Sequence, residues 1–285
     1  SHTNDKKNKV RIMIEKRLKK LRKKLEEADV AGILIGKPEN IRYLTGFTGT
    51  NGLLIIGSNN SVFITDFRYI EQAEREISGS KIELWEEPVY KKLYSIIKEL
   101  KINTLGFESH FFTHRQFENF TINFYIINLE QLINFVENIR IIKEIYELFK
   151  ISEAAKIVDK GFNYILSFLK IGAREKDIAL ELESFLKRNG SEKISFDIIV
   201  ASGPNSSMPH ATAGERKIEN GDFVVIDLGV VYQGYHSDMT RTVVIESASG
   251  EQKNIYETVL KAQLLAIDKI KTGINCNFID KIARN

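Results

Sequence analysis

Two aspartates and one histidine carry the clearest chemistry in the chain. Asp227 interrupts the apolar run Phe223-Val224-Val225-Ile226-Asp227-Leu228-Gly229-Val230, and Asp238 follows the turn-forming stretch Tyr232-Gln233-Gly234-Tyr235. The run is apolar enough for a strand buried on both faces, so a carboxylate in its middle needs a compensating charge. Centring a hairpin on Gln233-Gly234 sets Asp227 opposite Thr240 and Asp238 opposite Gly229. The two aspartates then become diagonal neighbours on one face, with backbones roughly 7–8 Å apart. Like charges at that distance require a shared proton, a basic partner or a cation, and hard divalent metals are the usual answer. Alternatively, Asp227 is half-exposed and pairs with Arg241 or a lysine, and the aspartate pair alone does not choose between these. His210 closes the loop Ser202-Gly203-Pro204-Asn205-Ser206-Ser207-Met208-Pro209-His210. A lone histidine is more often structural than catalytic, but only the Asn220-Gly221 turn separates this loop from the acidic strand, which makes delivery to the same site plausible.

The elements that must position these groups follow from periodicity. Apolar residues at Val10, Ile14, Leu18, Leu21, Leu25 and Ala28 predict one helix face, and the intervening lysines and arginines predict its solvated face. Short strands at 30–35, 53–56, 62–65, 82–85 and 104–108 alternate with helices at 89–100 and 115–120, which predicts a sheet flanked by helices. Asp66-Phe67-Arg68-Tyr69 opens a further helix, with Asp66 and Arg68 as a capping pair. His110 and His114 lack the adjacent glutamate of a zinc-peptidase helix and are expected to be structural. Amphipathic helices at 144–171 and 174–188 end at glycines. A strand at 194–201, the histidine loop and the acidic hairpin follow, then helices at 252–270 and 275–283.

Composition narrows the class. The chain has 285 residues, 43% hydrophobic and 28% charged, enough for two ordinary domains, with a formal net charge of +3 that is too small to argue for nucleic acid. No apolar run reaches the length of a membrane span, and the single cysteine, Cys276, is simplest in a reducing cytoplasm.

SGPNSSMPHA, then KIENGDFVVIDLG and YHSDMTRT, resemble the Xaa-Pro aminopeptidase and prolidase branch of the pita-bread (creatinase-like) metallopeptidases. PENIRYLTGFTG and TDFRY resemble the creatinase-like N-terminal domain that precedes the pita-bread domain in that family. The resemblance implies an α/β (α+β) chain: a creatinase-like N-terminal domain with a mixed sheet and flanking helices over residues 1–137, then an incomplete pita-bread domain over 138–285. It implies Asp227 as ligand to one metal, Asp238 as bridge between two, and His210 as a catalytic residue that binds substrate and shuttles protons. The implied cofactors are two divalent ions, Mn²⁺ first, with Co²⁺ or Zn²⁺ as alternatives. The implied reaction is cleavage of the N-terminal residue before proline in a peptide, through water activated by the metal pair. A homodimer formed through the N-terminal domain is implied too, with Arg68 and Tyr69 as interface candidates.

The family's remaining ligands, a histidine and two glutamates, come later in the chain and have no counterpart before Asn285. The expectation is therefore a C-terminally truncated enzyme whose 285-residue form binds metal weakly, is itself inactive and leaves apolar surface uncovered. Three alternatives stand beside it: a creatinase-type C–N hydrolase, a methionine aminopeptidase, and a non-catalytic pita-bread protein-binding module. The first does not need the acidic pair and the second does not need the N-terminal domain; the third tends to lose the metal ligands.

Overall fold

The structure, a computed structural model, describes residues 2–85 and 87–285, without the side chains of residues 2–7 and Lys9. The chain forms two compact units, residues 1–143 and 144–285.

The first unit runs α1 (His2–Glu27), β1 (Gly32–Ile35), α2 (Pro38–Thr45), β2 (Leu53–Gly57), β3 (Ser61–Thr65), α3 (Ile70–Glu76), β4 (Lys81–Leu84), α4 (Val89–Glu99), β5 (Thr104–Glu108), α5 (His114–Asn123), β6 (Asn128–Leu132) and α6 (Glu137–Arg140). The helix expected from Val10 thus begins at His2, and Ser1 lies outside the described residues. The strands form one mixed sheet in the order β4-β3-β2-β1-β5-β6. β1, β2 and β3 pair antiparallel, whereas β1–β5, β5–β6 and β3–β4 pair parallel. Alternate residues of the strands feed two cores, because successive side chains point to opposite faces. Ile33, Ile35, Leu54, Ile56 and Phe63 pack with Ile14, Leu18, Leu21 and Leu25 of α1. Leu34, Ile55, Val62 and Ile64 pack with Leu93, Ile96 and Ile97 of α4 and with Phe120 and Phe124. Lys16, Lys19, Lys20 and Lys23 are exposed, as the helix period requires, but Arg17 is not. Its guanidinium lies 3.9 Å from the centroid of the Tyr43 ring and donates to the Tyr43 carbonyl at 2.9 Å.

The second unit runs α7 (Ile145–Ile165), a 3-10 turn at Leu166–Phe168, α8 (Glu175–Arg188), β7 (Lys193–Ile194), β8 (Ile199–Ser202), a 3-10 turn at Gly203–Ser207, β9 (Phe223–Leu228), β10 (Val230–Tyr232), β11 (Tyr235–His236), β12 (Met239–Val244), α9 (Gly250–Lys269) and α10 (Cys276–Arg284). Its two small sheets have the orders β12-β9-β8 and β11-β10-β7. Val224, Ile226 and Leu228 of β9 pack with Ile157 and Val158 of α7 and Ile178, Leu182 and Leu186 of α8. Phe223, Val225 and Asp227 alternate with them on a half-exposed face. β9 is therefore covered on one side, not on both as its composition suggested, which gives Asp227 access to water. Neither α9 nor α10 contains a buried residue. Among the described residues no helix is long and apolar enough to cross a membrane.

Candidate functional site

The acidic hairpin has the register that its turn predicts. Thr240 pairs with Asp227 and Met239 with Leu228 on one side of a short break, and His236 pairs with Val231 on the other, all with the same offset. Ser237 N–H donates to the Val230 carbonyl at 2.9 Å inside the break, so the ladder gains no extra residue there. Gln233 and Gly234 form the turn with φ of 47° and 83°, the signature of a two-residue hairpin loop whose twist matches its strands. Parity then puts Asp227 and Asp238 on one face, with Asp238 opposite Gly229. Gly229 fits because a Cβ there would lie 2.3 Å from the Ser237 carbonyl oxygen and 2.8 Å from the Phe196 ring. The Thr240 hydroxyl donates to Asp227 Oδ1 at 2.9 Å and fixes that carboxylate, while Asp238 is exposed. His236 shares their parity, and its Nδ1 lies 3.2 Å from Ser195 Oγ. No ion pair joins Asp227 to Arg241 or to a lysine among the described residues.

His210 is delivered by the segment that joins β8 to β9, and β8 is the direct neighbour of β9, with Ile199 paired to Asp227. The imidazole is exposed and makes no hydrogen bond among the described residues. Beneath it the segment is heavily built. Gly203 adopts a φ of 51°, and a Cβ there would lie 2.6 Å from both Arg216 Nη2 and Asp222 Oδ1. Arg216 bonds Asp222 at 2.5 Å and Ser202 Oγ at 2.7 Å, and Asp222 holds its guanidinium above the ordinary value. Glu175, fully buried at the first turn of α8, accepts hydrogen bonds from Ser202, Asn205 and Gly214.

The hairpin supplies two carboxylates, and hard divalent ions take about six oxygen positions each, some of them water. Among the described residues no group of three histidine, cysteine, aspartate or glutamate side chains is placed to hold a metal ion. Asp227 and Asp238 thus fit part of a donor set for a metal pair and do not complete one.

The interface candidates of the first unit are engaged locally. Asp66 accepts from the Arg68 backbone at 2.9 Å and from its guanidinium at 3.0 and 2.7 Å, which holds the carboxyl well below the usual range. Tyr69 OH lies 2.7 Å from Thr50 Oγ1. His110 and His114 do not meet; the first lies 3.1 Å from Glu137 and the second 3.5 Å from Glu118.

Sequence reading did not single out Thr240, His236 or Glu175. The first two lie inside the quoted motif, where period two could have found them. Glu175 carried no local signal, because its partners lie 27 to 39 residues away.

A mixed-sheet domain followed by an antiparallel domain whose sheet packs on two of its helices and carries an acidic hairpin defines a class, and comparison with known proteins agrees with it. Residues 17–142 match the creatinase/prolidase N-terminal domain and residues 150–285 match metallopeptidase family M24. The chain belongs to the creatinase/prolidase branch of metallopeptidase family M24, with a partial pita-bread domain. It is similar to the Xaa-Pro dipeptidase of Pyrococcus furiosus, 34% identical over 273 residues that make up 95% of this chain and 76% of the relative. The solved structure of an Xaa-Pro dipeptidase from Bacillus anthracis superposes with a TM-score of 0.90 at 38% identity, covering 95% of this chain and 76% of that one. The prolidase from Pyrococcus horikoshii gives 0.88 at 33% identity with the same coverage. The chain thus spans about three quarters of the length of these relatives.

Proposed function

We propose that the protein to which this chain belongs hydrolyses the amide bond before proline, as an Xaa-Pro dipeptidase or aminopeptidase dependent on divalent metal. The observation that carries the reading is the common offset of the hairpin pairs on both sides of its short break, which supports Asp227 and Asp238 on one face, next to the strand that leads into the His210 loop. Asp227, oriented by Thr240, and Asp238 would hold the ions, with Mn²⁺ the first choice and Co²⁺ or Zn²⁺ as alternatives. When bound, such ions supply Lewis acidity that lowers the pKa of water and polarises a carbonyl. His210, at the exposed end of a braced loop, holds the peptide and moves a proton at its imidazole. Because two carboxylates do not complete a donor set, the 285-residue chain alone takes up metal weakly and releases no proline.

The test compares this chain with a protein extended to the full length of its relatives, measuring Mn²⁺ content and proline release from Gly-Pro and Gly-Pro-Ala. Asp238→Asn is expected to remove metal, and His210→Ala to lower kcat/KM by ~10²-fold or more. Intact metal content in the first variant or unchanged kcat/KM in the second rejects the reading. A second reading is a non-catalytic protein-binding module. Metal-independent capture of a protein partner by the full-length form, with no proline release, selects it. A homodimer formed through the first unit is part of the proposal, supported by Phe67, 77% exposed between the paired Asp66 and Arg68. Sedimentation of the Phe67→Asp variant as a monomer, against a wild-type dimer, is the expected result.

A further inference from the structure

Glu175 is 0% exposed, yet it sits among polar groups rather than in the apolar core. Its two oxygens are divided between the two ends of the segment that carries His210. Oε1 accepts from Ser202 N–H at 2.7 Å, Ser202 Oγ at 2.8 Å and Asn205 Nδ2 at 3.1 Å, all on the entry side. Oε2 accepts from Gly214 N–H at 3.2 Å on the return side, and from Asn205 Nδ2 at 3.2 Å. The backbone repeats the connection: Glu175 N–H donates to the Arg216 carbonyl and Lys176 N–H to the Gly214 carbonyl, each at 3.1 Å. Arg216 reaches Ser202 Oγ from the other side and closes the ring of contacts. Burial of a carboxylate is costly, and here several donors, a guanidinium one contact away and the N-terminal end of α8 offset it. This one side chain therefore ties both ends of the segment between Ser202 and Gly214, on which His210 is an exposed imidazole.

We propose that Glu175 is the positioning residue for His210, clasping both ends of residues 203–213 so that the imidazole is presented from a fixed base. The proposal rests on the reading of His210 as the group that holds the peptide. Glu175 touches no substrate in this scheme; it acts through the loop. Glu175→Gln divides the two arms of the clasp, because the amide oxygen can still accept from Ser202 while the amide NH₂ placed at Oε2 faces the Gly214 N–H, donor against donor.

The experiment uses the full chain as wild type, Glu175→Gln and Asn205→Ala, read by amide hydrogen exchange and by the His210 imidazole resonances with and without millimolar Gly-Pro. In Glu175→Gln, exchange within 203–214 is expected to rise ~10–100-fold, the range for loss of hydrogen bonds to a charged group, while 176–188 and 223–228 keep their protection. The His210 resonance is expected to move toward that of an unstructured peptide and to lose its response to Gly-Pro. Asn205→Ala, which leaves the carboxylate in place, is expected to give a smaller rise in the same segment and decides the question if the glutamine variant does not fold. Unchanged exchange in 203–214, or a uniform rise across the second unit, overturns the proposal. So does a His210 response to Gly-Pro that survives the opening of the loop. Failure of the wild-type His210 resonance to respond to Gly-Pro instead rejects the role of His210, and the exchange data still decide whether Glu175 sets the loop.

Discussion

Single side chains in this protein do their work by where their donors come from. Glu137 is the clearest case: burial pushes its pKa up, but hydrogen bonds from Lys37 at 2.8 Å and Asn40 at 2.9 Å, with His110 beside them, outweigh burial and bring it to about 2. A carboxylate depressed in the folded state adds stability above its unfolded pKa, and that stability is lost as pH falls toward the folded value. Glu137→Gln should therefore cost about 1–2 kcal/mol at pH 7, after discounting for solvent screening, and progressively less from pH ~4.5 down to ~2. Urea unfolding at a series of pH values measures this. Glu108, whose pKa is raised by burial and further by the Glu137 charge, works in the opposite direction, so the variant also relieves Glu108 and the measured loss is the net of the two. Gly229→Ala is a second expectation: with backbone oxygen 2.3 Å from the new methyl, a loss of about 2–4 kcal/mol follows, read by chemical denaturation. Asp227 and His210 were conspicuous as candidates because each breaks a local pattern, a charge in an apolar strand and a histidine in a turn-rich loop, and Asp238 through its parity with Asp227. Glu175 was not, since a glutamate at the start of a helix is ordinary there, and only the fold reveals that it is buried.

Among the elements, those with strong period or turn chemistry could be read from the chain. The hairpin of β9 to β12 followed from Gln233-Gly234 and from the alternation around it, and its register agreed at every paired position on both sides of the break. The strand expected over 194–201 divides into β7 and β8, because residues 195–198 leave the ladder where Phe196 packs against Gly229. β6, Asn128–Leu132, was missed altogether: NLEQL has no β-branched residue, and a parallel edge strand takes its place from β5 rather than from its own propensity. α9 is held at its start by a capping box, in which Ser249 accepts from Gln252 N–H at 3.1 Å, and Gln252 also donates to the Gly221 carbonyl at 2.7 Å. Ser249→Ala should cost about 1 kcal/mol, and because α9 buries no residue the loss should show as faster amide exchange in its first turn, not as global unfolding.

For the whole molecule, two features set its behaviour in solution. The first is apolar surface on α9, where Val259 is 64% exposed, Leu264 55% and Ile267 57%. Exposed apolar side chains of this kind promote association. Replacing the three by Glu, Lys and Glu should reduce self-association in light scattering while moving stability by no more than ~0.5 kcal/mol. The second is the parallel pairing of β1 with β5. On a ribosome β1 can hydrogen-bond β2, itself backed by β3, soon after these emerge, but its other edge must await β5. With the partners roughly 70 residues apart and synthesis at ~5–20 residues per second, Ile33, Leu34 and Ile35 stand with one open edge for roughly 4–15 s. Over that interval the nascent chain presents an apolar strand to whatever surrounds the exit tunnel, so the first unit would be most open to wrong pairing at a defined chain length, and the interval closes once residues through Phe107 have cleared the ribosome.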